Sequence, residues 1–209
     1  MLDEVASQAW AKLVLSVPSQ WTQRHPSVPF FTLGMAAYLD AKSTAAMPSS
    51  IYAQRSVRDA SNAILMAHFE PLYDQLCHAI GQYFGVDAHL IADQAALPGF
   101  HIHLPHPVFA NEVASVHRDL QFQQVFPLES FEPHEVFTFT LPISIPPGAG
   151  LNLWIEGEKQ FHPYRTGELV IHSGLKTHQA ALCCAGNVVP RIALQGHGVL
   201  RKNTVALYW

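Results

Sequence analysis

Residues 137–145 read FTFTLPISI, and their alternation decides the fold class. Phe137, Phe139, Leu141, Ile143 and Ile145 fall on one face of an extended chain, and Thr138, Thr140 and Ser144 on the other. Successive side chains of a strand point to opposite faces, so this period of two describes a strand with one apolar face. Short runs of similar composition lie on both sides of it. They are GFHIHL (99–104), VHRDLQFQ (116–123), LNLWI (151–155), GELVIHS (167–173), HQAALC (178–183), RIALQGHGVL (191–200) and TVALYW (204–209). About eight short strands separated by Gly and Pro predict a sandwich or a barrel, and a jelly roll has eight.

Upstream of Gly85 the texture is helical. DEVASQAWAKLVLSV (3–17) spaces Val5, Trp10, Leu13 and Val14 roughly as one helix face. Over 55–85, Leu65, Phe69, Leu72, Leu76 and Tyr83 recur at helical spacing, with Pro71 expected to kink or divide the helix. Residues 18–50, rich in Pro and Ser, read as loop around PFFTLGMAAYLDA (29–41); within it TLGMAAYLD (32–40) is either a lid or a packing element. The expected class is α+β, mainly β. One domain spans 1–209, with a mainly helical N-terminal layer (1–90) on a double-stranded β-helix core (jelly roll, cupin-like; 91–209).

Composition narrows the partners. Charged residues make up 13% of the 209, against about 25% in an ordinary domain, so either the core is unusually large or apolar surface is covered by a partner or by a second copy of the chain, with a homo-oligomer favoured. A net charge of −4 without a Lys/Arg cluster leaves no footprint for nucleic acid. No apolar run approaches the ~20 residues a membrane span needs. The start carries acids where an export signal has positive charge, and three cysteines form no disulfide framework, so a reducing cytoplasm is expected.

The chemistry centres on His117-Arg118-Asp119-Leu120. A protein kinase shows the same four residues in its catalytic loop, but it also needs an Asn five positions after the Asp and a later Asp-Phe-Gly. Here Gln124 stands at that position and no Asp-Phe-Gly occurs. As a metal motif, His117-x-Asp119 puts an imidazole and a carboxylate on one face of an extended chain, where they can converge on one ion. The second such pair, His68-x-Glu70, lies in the amphipathic helix and reads as a polar helix pair. A third ligand is available in His172 or His178, across the turn 173–176. Arg191 alternates with Ile192 and Leu194 and should face inward with Ala193 and Gln195. No Asp or Glu follows Glu168, so the partner of a buried Arg191 is expected to be a ligand.

His117-x-Asp119, His178 and then Arg191 in this order resemble the iron(II)- and 2-oxoglutarate-dependent dioxygenases. GELVIHSGLKTHQ (167–179) also resembles that family's approach to its distal histidine, and the resemblance covers about 97–200. It implies that His117, Asp119 and His178, rather than His172, hold Fe(II) as a catalytic facial triad. It also implies that Arg191 pairs with the far carboxylate of the cosubstrate 2-oxoglutarate. Ala193 stands where many members have Ser, which leaves Thr140 or Gln195 as the second donor to that carboxylate. Asp119 fills the position that related halogenases leave open, so the implied outcome is hydroxylation or a related oxidation. The substrate would be a small molecule or an amino-acid or peptidyl side chain, with release of succinate and CO2. Two alternatives stay open: a metal oxygenase on the same fold in which Arg191 binds the substrate's own carboxylate, and a non-enzymatic jelly-roll binding module. His101 and His103 either line the pocket or are hydrogen-bonded core histidines. Phe139 and Trp154 read as core, and Cys183 and Cys184 as small buried residues.

Overall fold

The computed structural model describes residues 1–41, 50–185 and 189–209. Its helices are α1 (Glu4–Ser16), α2 (Ala37–Asp40), α3 (Arg55–Phe84) and α4 (Phe122–Val125). The first strands are β1 (Thr22–Gln23), β2 (Phe30–Leu33), β3 (Asp87–Leu90), β4 (Gly99–His103), β5 (Val136–Ser144) and β6 (Gly150–Ile155). They are followed by β7 (Glu158–Pro163), β8 (Val170–His172), β9 (His178–Ala181), β10 (Arg191–Leu200) and β11 (Thr204–Tyr208). Among the described residues no helix is long and apolar enough to cross a membrane.

The strands form a large sheet and a small one. The large sheet runs β1-β2-β4-β10-β11-β3, with β5 on the other edge of β10 and β8 beyond β5. The small sheet is β7-β6-β9, extended by a single bridge between His117 and His178. From β4 onward the chain alternates between the two: β4 in the large, His117 in the small, β5 back in the large, β6 and β7 in the small, then β8, β9 and β10 in turn.

The two faces of β5 explain what the large sheet does. Its apolar face, Phe137, Phe139, Leu141 and Ile143, is buried against Leu65, Phe69, Leu72, Leu76 and Ile80 of α3 in one core. Its other face carries Thr138 and Thr140, which sit opposite His197 and Gln195 of β10 and turn away from the helix. The helical layer therefore covers one side of the sheet and leaves the other free for a site. Phe69 is fully buried, stacks at 4.6 Å on Phe100 of β4 and meets Trp10 of α1 at 6.1 Å. Phe69→Ala should cost about 3–5 kcal/mol, read as a lower urea midpoint with an unchanged slope.

Several expectations are corrected. Pro71 does not divide α3, which is continuous over 30 residues. Pro71 lacks the amide that would reach Ala67, but Leu65 and Phe69 before it and Leu72, Leu76 and Ile80 after it are held in the same core. In α1 the buried face includes Ser7 and Val14, while Val5 is 77% exposed. The N-terminal half is not purely a helical layer, since β1 and β2 extend the large sheet beside β4 and β3 pairs in parallel with β11. Part of the 18–50 loop, residues 42–49, lies outside the described residues. Within TLGMAAYLD, Met35, Ala36 and Ala37 are buried. VHRDLQFQ is extended but not a regular strand. After the bridge at His117, the Asp119 amide turns to Gly174 O in the β8–β9 turn, and α4 begins at Phe122. Trp154 is half-buried beneath Lys159, and Cys183 is exposed at a φ of 46° while Cys184 is buried.

Candidate metal centre

Three side chains converge where the sheets meet. His117 and His178 exchange both backbone hydrogen bonds, at 3.0 and 2.9 Å, which sets their rings side by side with centroids 4.4 Å apart. Asp119 is brought alongside by its amide, which donates to Gly174 O at 2.7 Å. One ligand atom from each of the three lies within 4.8 Å of the others.

The rings are oriented from behind. His117 Nδ1 lies 2.9 Å from Ser115 O, and His178 Nδ1 lies 2.8 Å from Lys176 O. A carbonyl can only accept, so each Nδ1 carries a proton, and in the neutral imidazole each Nε2 keeps its lone pair. Those lone pairs face the carboxylate: His117 Nε2 is 3.5 Å from Asp119 Oδ1 and His178 Nε2 is 3.2 Å from Oδ2. His178 Nε2 is buried and makes no hydrogen bond. Lone pairs turned on one another inside a protein repel unless a cation lies among them.

A second layer holds Asp119, which is 4% exposed. Thr138 Oγ1 donates to Oδ2 at 2.6 Å and Gln121 Nε2 donates to Oδ1 at 3.3 Å. The Thr138 proton is thereby used, so His197 Nδ1, 3.1 Å from the Thr138 hydroxyl, must be the donor of that pair. Burial opposes the charge of Asp119, but His197, His117 and His178 around it hold its carboxyl well below the ordinary range. His117 is pulled up from its usual value by its contact with Asp119, against the effect of burial. Both shifts mark a place that attracts positive charge.

Arg191 opens β10 directly across from His103 of β4 and lines the same cavity. It is 2% exposed, its Nε has no hydrogen-bond partner, and among the described residues no carboxylate lies within ion-pair distance. Burial pulls its pKa down, and its guanidinium stands 5.8 Å from the centre of the Tyr164 ring. Thr140 and Gln195, the two candidates for the second donor, both line the cavity.

The cavity is about 530 Å³ in volume and is lined by His117, Asp119, His178, His197, Tyr164 and Arg191. His172 also lines it, with its ring 4.8 Å from that of His178, but it stands outside the three-donor cluster. Burial lowers the pKa of His172 to about 4. His101 and His103 line the cavity too; His101 Nε2 meets the Tyr38 hydroxyl, and His103 stacks on Phe30 at 4.5 Å. His68 and Glu70 are on α3 and do not line it. Thr138, His197, Tyr164 and Tyr38 were not singled out from the sequence. For His197 a signal existed in Gly196-His197-Gly198: a Cβ at either glycine would come within 2.7 Å of a Phe139 or Phe137 ring atom. The two small neighbours let those rings cross the strand while His197 faces the cavity.

No protein-family model matches the chain, and no curated protein matches it significantly. Similar solved structures include an N-substituted L-amino acid dioxygenase from Burkholderia ambifaria AMMD, at 14% identity and a TM-score of 0.42. That match covers 55% of this chain and 54% of the other, so it spans about half of that enzyme. A prolyl-4-hydroxylase from Pseudomonas putida is 17% identical with a TM-score of 0.46, over 96% of this chain and 89% of that one. A third, named as an oxygenase from Shewanella oneidensis, is 9% identical with a TM-score of 0.39, over 93% and 78% of the two chains.

Proposed function

We propose that the protein is an iron(II)- and 2-oxoglutarate-dependent oxygenase on a jelly-roll core. The observation that carries this reading is the pair of imidazole Nε2 atoms and the carboxylate turned on one point, in the same cavity as a buried Arg191 that has no carboxylate partner among the described residues. Two imidazoles and one carboxylate are a donor set that suits non-haem iron and leaves coordination positions open. The alternation of the chain between the two sheets from β4 to β10 supports the jelly-roll assignment.

His117, Asp119 and His178 would hold the metal, which with a bound 2-oxo acid supplies the oxygen activation needed to oxidise a C–H bond. The chain's own residues do the positioning. Ser115 O and Lys176 O keep the two imidazoles in the ligating tautomer, and Thr138 and Gln121 fix the carboxylate. Arg191 would grip the far carboxylate of 2-oxoglutarate through its planar fork of donors, beside the Tyr164 hydroxyl, which burial keeps protonated. Product would leave with succinate and CO2.

Protein loaded with Fe(II) and incubated aerobically with 2-oxoglutarate should release succinate, followed by NMR, and Asp119→Ala should not. Stoichiometric iron binding without 2-oxoglutarate binding or succinate would overturn the proposal in favour of an oxygenase whose Arg191 binds substrate. Absence of metal binding would leave a binding module.

A further inference from the structure

We infer that the substrate presents a neutral, apolar group to this site, so that carboxylate and ammonium groups of similar size are turned away. The inference rests on the assignment of the Asp119–Arg191 side to metal and 2-oxoglutarate. An apolar part of the cavity lining is formed by Phe30, Val108, Phe109, Val113, Leu151 and Leu182. Phe109 and Leu182 belong to a small buried cluster with Cys184, backed by Val28 and Val108, so this wall is built rather than incidental. Val113, 48% exposed, carries the apolar surface outward to the mouth.

The charge inventory of the cavity is short. Asp119 and Arg191 are the only Asp, Glu, Lys or Arg side chains among the described residues that line it. With metal on the first and a dicarboxylate on the second, no Asp, Glu, Lys or Arg side chain remains among the described residues to pair with a substrate ion, and His25, which also lines the cavity, is exposed with its Nδ1 accepting from the Ser27 amide. Arg24, close in sequence to the apolar wall, is already committed to Asp40 at 2.6 and 2.9 Å and to the Thr32 hydroxyl at 2.7 Å. His101 and His103 offer no cation either. His101 is engaged with Tyr38, and burial lowers it to about 3, while His103 is stacked on Phe30, meets Phe109 edge-on and is also held well below its usual value. An ion taken into such a cavity would lose its hydration and gain no partner. A neutral apolar group would keep the gain from burial against Phe109 and Leu182.

The test uses Zn(II)-loaded full-length protein and calorimetry. 2-Oxoglutarate is titrated first, so that failure of the oxygenase assignment shows as failure of that step alone. Three probes of one skeleton then follow at saturating 2-oxoglutarate: phenylacetamide, phenylacetate and phenethylammonium. The amide should bind on the order of a hundredfold more tightly than either ion, because an unpaired buried charge is that costly. Equal or tighter binding of either ion overturns the inference, and so does saturable binding of none of the three. Val113→Asp changes a half-exposed position and so should leave the fold intact. It should shift the preference about tenfold toward phenethylammonium; an unchanged preference would show that this wall does not face the substrate.

Discussion

Arg191→Met should raise the 2-oxoglutarate concentration needed for succinate formation by roughly two to three and a half decades while iron binding changes little. The figure follows from the cost of removing one partner of a buried ion pair, about 3–5 kcal/mol, converted to affinity at about 1.4 kcal/mol per decade. Arg191 is 2% exposed, lacks a carboxylate partner among the described residues and faces the cavity that contains the three metal-ligand candidates. Met keeps much of the volume and the apolar stem, so the change isolates the guanidinium. Arg191→Lys should fall between the two, since an ammonium keeps the charge but not the fork. If Arg191→Met still couples succinate formation to oxygen use at ordinary 2-oxoglutarate concentrations, the anchor for the cosubstrate is elsewhere.

His117→Ala, Asp119→Ala and His178→Ala should each abolish turnover and weaken metal binding by more than about a hundredfold, because loss of an outer partner alone already costs about 10–100-fold. Thr138→Val tests that outer shell. It removes the 2.6 Å hydrogen bond to Asp119 while keeping the shape, and should weaken the metal by about 10–100-fold. His172→Ala should leave metal occupancy intact, since His172 is outside the three-donor cluster although its ring is only 4.8 Å from that of His178. Full occupancy in His178→Ala with loss in His172→Ala, measured by metal analysis after gel filtration, would exchange the roles of the two histidines.

The parts of the molecule legible in the sequence are those where one local pattern decides the outcome. β5 could be read because one face must pack on α3, and the period of two follows directly. α3 was visible for the same reason at a period of 3.6. β7, by contrast, is exposed along its whole length, so no buried face imprints a pattern on Glu158–Pro163. β1 and β2 are short strands in a Pro- and Ser-rich stretch, ordered by pairing, β2 with β4 and β1 with β2, rather than by their own composition. In the site, His117 and Asp119 could be nominated because few residue types can bind a metal, while the preference for His178 over His172 rested on the family resemblance; the three cluster in the structure. Thr138 and His197 could not be nominated, because their meeting depends on the register between β5 and β10, set across 59 residues of chain. Tyr38 and Tyr164 reach the cavity from a short helix and from a loop after β7, and no local pattern announces that.

The most direct measurement is a crystal structure grown anaerobically with Fe(II) and 2-oxoglutarate. The account predicts one iron bound by Nε2 of His117, Nε2 of His178 and a carboxylate oxygen of Asp119, with the far carboxylate of 2-oxoglutarate held two-pronged by Arg191. Iron bound through His172 in place of His178, or 2-oxoglutarate bound without contact to Arg191, would contradict it.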